Sequence, residues 1–239
     1  MPLAVKPNRI KNLMLAVGLL GLILRSILFA TGIDYKGLLV TGHWADIAVW
    51  LLTALVIGLI CLSMRKCTGS ESYDATFPKS TICAAGSILA ACGFLLSPVP
   101  ATGKFAFVEP IFRILAAAAL VAVAFCRFQG KKTSILLHGM VCVYLALRIV
   151  YLYQLWSADP QLQQYAFYLG AHVALMLSCY QLAAFDADSG NHRSLWSWAL
   201  AGIYLCLTAI AASEDAFFLI CCAFWMFSTL TPAAIQEGD

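Results

Sequence analysis

Apolar stretches of bilayer-spanning length recur along the whole chain, and they limit the possible fold more than any other feature. Of the 239 residues, 62% are hydrophobic and only 11% are Asp, Glu, Lys or Arg. Ordinary soluble domains contain about 25% charged residues. A helix needs about twenty consecutive apolar residues to cross a hydrocarbon core about 30 Å thick. We interpret eight stretches as spans, at 12–31, 45–64, 80–97, 105–126, 134–156, 163–184, 195–212 and 215–232.

The predicted fold is therefore all-α, a polytopic transmembrane helix bundle in which residues 1–239 form a single integral membrane domain. No connection between spans is long enough to fold separately, and no nucleotide-binding motif occurs, so any transport would depend on an ion gradient or a partner. Segments 22–29 and 145–152 resemble each other, each with one central arginine. This favours two parallel four-helix repeats, 1–130 and 131–239. The alternative is that leucine-rich helices simply look alike.

Basic residues are distributed unevenly between the two ends of the predicted spans. If the N-terminus is cytoplasmic, the outer loops hold only Lys36 and Lys104. The inner segments hold Lys6, Arg9, Lys11, Arg65, Lys66, Lys79, Arg127, Lys131, Lys132 and Arg193. Cytoplasmic loops of membrane proteins carry this excess of Lys and Arg. We therefore predict that both termini are cytoplasmic and that the protein lies in the plasma membrane. The basic residues set orientation, and no nucleic-acid partner is expected.

Cysteine placement and motif content argue against a metal site, a cofactor or a catalytic centre. All ten cysteines fall within spans or at the inner rim, and none has the paired C-x-x-C spacing of a metal site. Buried free cysteine usually behaves as a small apolar packing residue. No metalloprotease or serine-hydrolase motif occurs. An intramembrane enzyme is therefore the least favoured class.

Three arginines, Arg25, Arg113 and Arg148, lie inside predicted spans. A charge there costs a few kcal/mol or more unless a partner or a wet cavity compensates it. At 1.5 Å per residue, Arg25 lies roughly 9 Å and the other two roughly 12 Å from the outer end of their spans. All three are thus in the outer half of the bilayer. The other candidate ligand-binding residues share that end, and they are Glu109, Asp46, His43, Asp34 and Tyr151.

The spacing of these residues suggests partners for the three arginines. Glu109 and Arg113 are four residues apart with the acid first, the better orientation for an ion pair on a helix. Arg25 and Arg148 have no acid four residues away, so their counter-charges must come from elsewhere. Asp46 is the first candidate, followed by Asp34 or Asp215.

Two functions are consistent with this pattern. In the first, the arginines line an outward-facing pocket that binds or transports a small anionic or zwitterionic solute, because guanidinium groups suit carboxylate and phosphate recognition. In the second, the chain is a non-catalytic membrane subunit or scaffold of a larger complex, and the arginines are interhelical salt-bridge clips. The expected partners are the lipid bilayer, with either the solute or a membrane subunit.

Overall fold

The computed structural model describes residues 7–33, 39–40, 42–65, 73–97, 107–156 and 165–236. Within these ranges the chain is helical apart from short connections and one isolated bridge between Ile33 and Leu39. The helices are α1 Pro7–Thr31, α2 Trp44–Met64, α3 Tyr73–Thr76, α4 Thr81–Leu96, α5 Val108–Gln129, α6 Ile135–Trp156, α7 Ala166–Asp186, α8 His192–Ala209 and α9 Ala216–Gln236. A 3-10 turn, Ile210–Ala212, continues α8.

Each predicted span coincides with one of the eight long helices, so the all-α prediction is confirmed. Five of them are long and apolar enough to cross a bilayer: Arg9–Thr31, Trp44–Met64, Val108–Gln129, Ile135–Trp156 and Ala166–Asp186. Thr81–Leu96 and Ala216–Thr231 are shorter apolar helices. The remaining helix, α8, begins with the polar sequence His192-Arg193-Ser194. The chain is therefore a multi-pass membrane protein by helix length and composition.

The last six long helices close into a ring. Each helix from α4 to α8 packs along the next one, and α9 returns to α4. Outside the ring, α1 packs on α8, while α2 lies against α1 and α8. The predicted duplication stays a prediction. In the second half α7 packs along α8, whereas α2, its counterpart in the first half, does not pack along α4 in the described residues.

Small residues allow α4 to approach α9 closely, as the Gly- and Ala-rich sequence predicts. A Cβ added to Gly93 would lie 2.8 Å from the Cβ of Cys221. One added to Gly86 would lie at the same distance from the Cβ of Ser228. The order of these contacts shows that the two helices are antiparallel. Helices in membranes commonly associate through small residues that let their backbones approach.

The two ends of the bundle are defined by contacts between helix termini. The Lys11 ammonium near the start of α1 donates a hydrogen bond to Thr231 Oγ1 near the end of α9, at 3.0 Å. Both ends of the described chain therefore lie at one end of the bundle, here called the inner end. The opposite end, where α4 ends and α9 begins, is the outer end. Large apolar side chains such as Leu51, Leu55 and Leu62 are mostly exposed on the outside of α2, as expected for a surface that contacts lipid.

Candidate functional site

Arg148 is buried at the outer end of the ring and bonds side chains from several helices. Its Nη1 donates a hydrogen bond to the Tyr144 hydroxyl at 2.8 Å. Its Nη2 donates to Ser97 Oγ at 2.6 Å, to the Tyr168 hydroxyl at 3.2 Å and to the Asp215 carboxylate. The Tyr168 hydroxyl also donates to Asp215. Arg148 therefore connects α6 to α7, to the end of α4 and to the start of α9.

Local structure explains why these side chains meet. Tyr144 and Arg148 are four residues apart, so they lie one above the other on one face of α6. Ser97 is the C-cap of α4. The carbonyl of Asp215 accepts the Leu219 N–H, which places Asp215 at the N-terminus of α9, where a carboxylate is favoured by the helix dipole.

Glu109 lies beside Arg148, and the predicted ion pair between Glu109 and Arg113 is wrong for the described side chains. Glu109 Oε1 is 3.8 Å from Arg148 Nη1 and accepts a hydrogen bond from the Tyr144 hydroxyl at 3.2 Å. Arg113 instead donates from Nη1 to the Ser97 carbonyl at 2.6 Å. A cation at a helix C-terminus is stabilised by the free carbonyls there, and this interaction replaces the expected pair on α5.

His172 adds an imidazole to the same cluster. The ring stacks on Phe218 with centroids 5.3 Å apart, and the Arg148 guanidinium carbon lies 4.8 Å from the Phe218 centroid. His172 Nδ1 is 2.9 Å from the Tyr168 carbonyl oxygen, so this nitrogen carries the proton and donates. Nε2 is then a lone-pair acceptor, and it has no hydrogen-bond partner among the described residues.

We use the name outer-end cluster for Ser97, Glu109, Arg113, Tyr144, Arg148, Tyr168, His172, Asp215 and Phe218. In the described part of the chain, six buried side-chain nitrogen or oxygen atoms have no hydrogen-bond partner. Four belong to this cluster, and they are Glu109 Oε2, Arg113 Nε, Arg148 Nε and His172 Nε2. The other two belong to Arg127 at the inner end. Because buried polar groups are nearly always bonded, such a concentration marks a place where a water or a ligand belongs.

The described charges of the outer-end cluster balance. Arg113 and Arg148 supply two positive charges, and Glu109 and Asp215 supply two negative charges. A neutral His172 adds none. A site with no net charge does not attract a simple anion as the sequence pattern suggests.

Arg25 lies in a different part of the bundle from the other two arginines. Its Nη1 donates to the Thr208 carbonyl of α8 at 3.3 Å. Its guanidinium carbon is 4.7 Å from the Phe167 ring centroid and 5.4 Å from that of Phe29. The pairing of Arg25 with Asp46 stays a prediction. Two of the three arginines thus share one cluster, and the third does not.

The remaining predicted site residues have local roles or fall outside the cluster. His43 caps α2, because its Nδ1 accepts the Ala45 N–H at 3.3 Å. Asp46 is half-buried in the first turn of the same helix. Tyr151 is buried on α6, one turn beyond Arg148. Asp34 lies outside the described residues.

Sequence reasoning missed Ser97, Tyr144, His172 and Phe218 as members of the cluster. The spacing of four residues between Tyr144 and Arg148 could have identified that tyrosine. Ser97 and Phe218 carry no distinguishing pattern, because their role depends on which helices pack together. Asp215 was expected near this depth, as a counter-charge.

Comparison of the chain with protein-family models, with curated proteins and with solved structures gives no match. The function of the protein must therefore be inferred from the chemistry of its own residues. The outer-end cluster is the part of the described chain with the highest concentration of buried polar groups that lack partners.

Proposed function

We propose that the protein is a multi-pass membrane protein that binds a small zwitterionic solute in the outer-end cluster, either as a receptor or for transport. One observation carries the proposal. Four of the six buried polar atoms without partners in the described chain lie together there. Leaving each buried group unbonded costs about 1–3 kcal/mol. A bound solute that supplies the missing partners explains why such atoms are kept together.

The charge balance selects the class of solute. A net anion or cation would leave one uncompensated charge in a buried site, which is strongly unfavourable. The unpartnered atoms include two donors, on Arg113 and Arg148, and two acceptors, on Glu109 and His172. A molecule that carries both acceptor and donor groups, such as an amino acid, matches this set. We therefore favour the zwitterion over the anion.

Different members of the cluster have different roles in this proposal. Arg148 is a positioning residue, because both of its terminal nitrogens are bonded to protein groups. Arg113, Glu109 and His172 are the main groups that contact the solute, and Arg148 contributes only its Nε–H. Their unpartnered atoms are closed to solvent in this conformation, so a solute enters only when helices of the ring separate. Transporters whose helices rock around a central site open and close in this way.

The proposal is tested by thermal unfolding of the detergent-purified protein with panels of amino-acid zwitterions, carboxylate anions, alkylammonium cations and uncharged polar molecules. A ligand at 100 times its dissociation constant adds about 2.7 kcal/mol to stability. We expect stabilisation by at least one zwitterion, its loss in Arg113→Gln, and its retention in the matched control Arg193→Gln. Arg193 is exposed at the start of α8. Stabilisation by no compound in any class would overturn the proposal.

A second candidate function is supported by the completeness of the bonds around Arg148. A guanidinium that links α6 to α7, to the end of α4 and to the start of α9 is what a helix clip requires. In that case the chain is a non-catalytic subunit or scaffold. It should then co-purify with another membrane protein in mild detergent, and the solute panels should have no effect.

A further inference from the structure

The inner end of the bundle contains a buried guanidinium that pairs with none of the acids whose side chains are described. Arg127, in the last turn of α5, is only 3% exposed. Its guanidinium carbon lies 4.1 Å from the Phe77 ring centroid and 4.8 Å from the Tyr73 centroid. Aromatic rings stabilise the face of a guanidinium. They leave the N–H groups in its plane unbonded, and Nε and Nη1 have no hydrogen-bond partner in the described chain.

Asp186 and Asp188, two acids at this end, are already bonded to other groups. Asp186 accepts a hydrogen bond from Thr133, and its Oδ2 lies 2.6 Å from His138 Nδ1. Asp188 pairs with Lys132 and accepts the N–H of Tyr73 at 3.3 Å. No carboxylate whose side chain the structure describes comes within 4 Å of Arg127.

Further basic residues surround the end of α5. The Ser80 N–H donates to the Arg127 carbonyl at 3.3 Å, which brings the neighbouring Lys79 to this turn. The Lys131 carbonyl accepts a hydrogen bond from the Tyr73 hydroxyl at 3.4 Å, so Lys131 lies next to the ring that contacts Arg127. Both lysines are exposed, and no acid whose side chain the structure describes lies within 4 Å of either. Arg127, Lys79 and Lys131 thus bring three positive charges to this turn.

We infer that Arg127 anchors a binding site for a phosphate-bearing anion, with Lys79 and Lys131 at its rim. The Nε and Nη1 N–H groups supply charge-assisted donors of the kind that bind phosphate oxygens. The site lies in the last turn of α5, a helix long and apolar enough to cross a bilayer, and lipid headgroups begin where such a span ends. Basic pockets between helices on the cytoplasmic side bind anionic headgroups. The same chemistry accepts the headgroup of an anionic phospholipid or a free phosphate.

Thermal unfolding in a non-ionic detergent tests the inference and separates these two sources. One arm adds phosphatidylglycerol or, as its reference, phosphatidylcholine. The other arm adds inorganic phosphate, with chloride at equal ionic strength as its reference. Each arm uses wild type, Arg127→Lys and the control Arg193→Gln. Arg127→Lys keeps the charge but replaces the guanidinium with a single ammonium group. Arg193→Gln removes a whole charge from an exposed residue at the start of α8.

We expect phosphatidylglycerol, but not phosphatidylcholine, to stabilise wild type and Arg193→Gln at the same concentration. Arg127→Lys should need about ten times more lipid, since it loses a charge-assisted hydrogen bond. Stabilisation by inorganic phosphate with the same dependence on Arg127 supports the site and identifies free phosphate as the occupant. Equal dependence on both lipid and phosphate in Arg127→Lys and wild type, or a larger loss in Arg193→Gln, would overturn the inference.

A second variant keeps the test decisive if Arg127→Lys does not fold. Lys79→Gln changes an exposed side chain, so the protein should still elute as a single gel-filtration peak. We expect this variant to need about three times more lipid for half of the maximal stabilisation, because one rim charge is lost. No change in Lys79→Gln, together with no anionic phospholipid in the mass spectrum of the purified wild type, would also overturn the inference.

Discussion

Arg148 is the residue with the most complete set of partners in the outer-end cluster. Its terminal nitrogens bond four side chains, and one of these is a carboxylate that lies in the same buried region. Among the described residues, Arg113 makes a single hydrogen bond, to the Ser97 carbonyl, and it is only partly buried. The two arginines look alike in sequence, but the structure gives them different energetic roles.

Replacement of Arg148 should therefore destabilise the protein far more than replacement of Arg113. Arg148→Gln leaves Asp215 buried without its cation, which costs about 3–5 kcal/mol. Arg113→Gln loses one hydrogen bond, worth about 1–3 kcal/mol when charge-assisted. Denaturant unfolding in detergent, followed by circular dichroism, measures both free energies of unfolding. Equal losses in the two variants would contradict these roles.

Asp188 gives a prediction about acid stability. The residue follows α7 in the left-handed region, with φ of 54°. Hydrogen bonds from Lys132 and from the backbone of Tyr73 lower the pKa of Asp188 below its ordinary value of 3.8. A carboxyl with a lowered folded-state pKa stabilises the fold above its unfolded pKa, and this contribution is lost as the pH falls through the folded pKa.

Wild type should thus lose more stability than Asp188→Asn between about pH 5 and about pH 3. The measurement is the melting temperature of both proteins across that range. The asparagine keeps the shape and tolerates the left-handed conformation, so it isolates the effect of the charge. Parallel pH profiles would show that this ion pair contributes nothing to acid stability.

At the residue scale, the sequence singled out the arginines inside the spans but neither the buried Arg127 nor the groups that each arginine bonds. Arg148 and Arg113 stood out because charges are rare in apolar stretches. Their partners Ser97 and Tyr144 could not be predicted, since a hydroxyl in a span usually bonds its own backbone. The same limit explains why the pairing of Glu109 with Arg113 is wrong. Glu109 instead accepts a hydrogen bond from Tyr144 on α6, which the sequence does not place beside it.

At the element scale, the glycines of α4 determine how closely this helix approaches α9. A methyl group at Gly93 would lie 2.8 Å from Cys221 Cβ, a distance at which one of the helices must shift. Gly58 of α2 has nothing within 4 Å of its added Cβ. The two positions form a matched pair, because both are helical glycines with different surroundings.

Gly93→Ala should lower the free energy of unfolding by about 1–3 kcal/mol, the usual cost of overpacking. Gly58→Ala should change it by less than about 0.5 kcal/mol, as for other exposed positions. Thermal or denaturant unfolding of both variants in one detergent provides the comparison. A stable Gly93→Ala variant would indicate that α4 and α9 are less tightly packed than described.

Helix positions were predictable because the apolar runs are long and separated by polar connections. Predicted and observed ends differ by a few residues, with α1 starting earlier, at Pro7. The short helix α3 was not predicted, since four residues leave no periodic pattern. The ring of six helices, with α1 and α2 outside it, also could not be predicted, because every apolar face suits either lipid or another helix.

At the scale of the whole molecule, both ends of the described chain lie at the inner end, together with the buried Arg127 and the exposed Lys79 and Lys131. The excess of basic residues favours the cytoplasm for this end. A green fluorescent protein fused to the C-terminus should therefore fluoresce. Alkaline phosphatase fused after Ser97, at the outer end, should be active. A C-terminal fusion that does not fluoresce, together with an inactive phosphatase, would indicate the opposite orientation.

The central claim is that the outer-end cluster keeps unpartnered groups for a solute and not for stability, and His172→Phe tests it most directly. Thermal unfolding without added solute should show a melting temperature equal to or above that of wild type. The phenyl ring retains the stacking on Phe218 and removes an unpaired buried acceptor, which costs about 1–3 kcal/mol. This gain offsets the loss of the Nδ1 hydrogen bond to Tyr168, worth about 0.5–1.5 kcal/mol. Tyr144→Phe, which removes a bonded hydroxyl, should instead lose about 1–2 kcal/mol. A loss in His172→Phe as large as that in Arg148→Gln would contradict the claim.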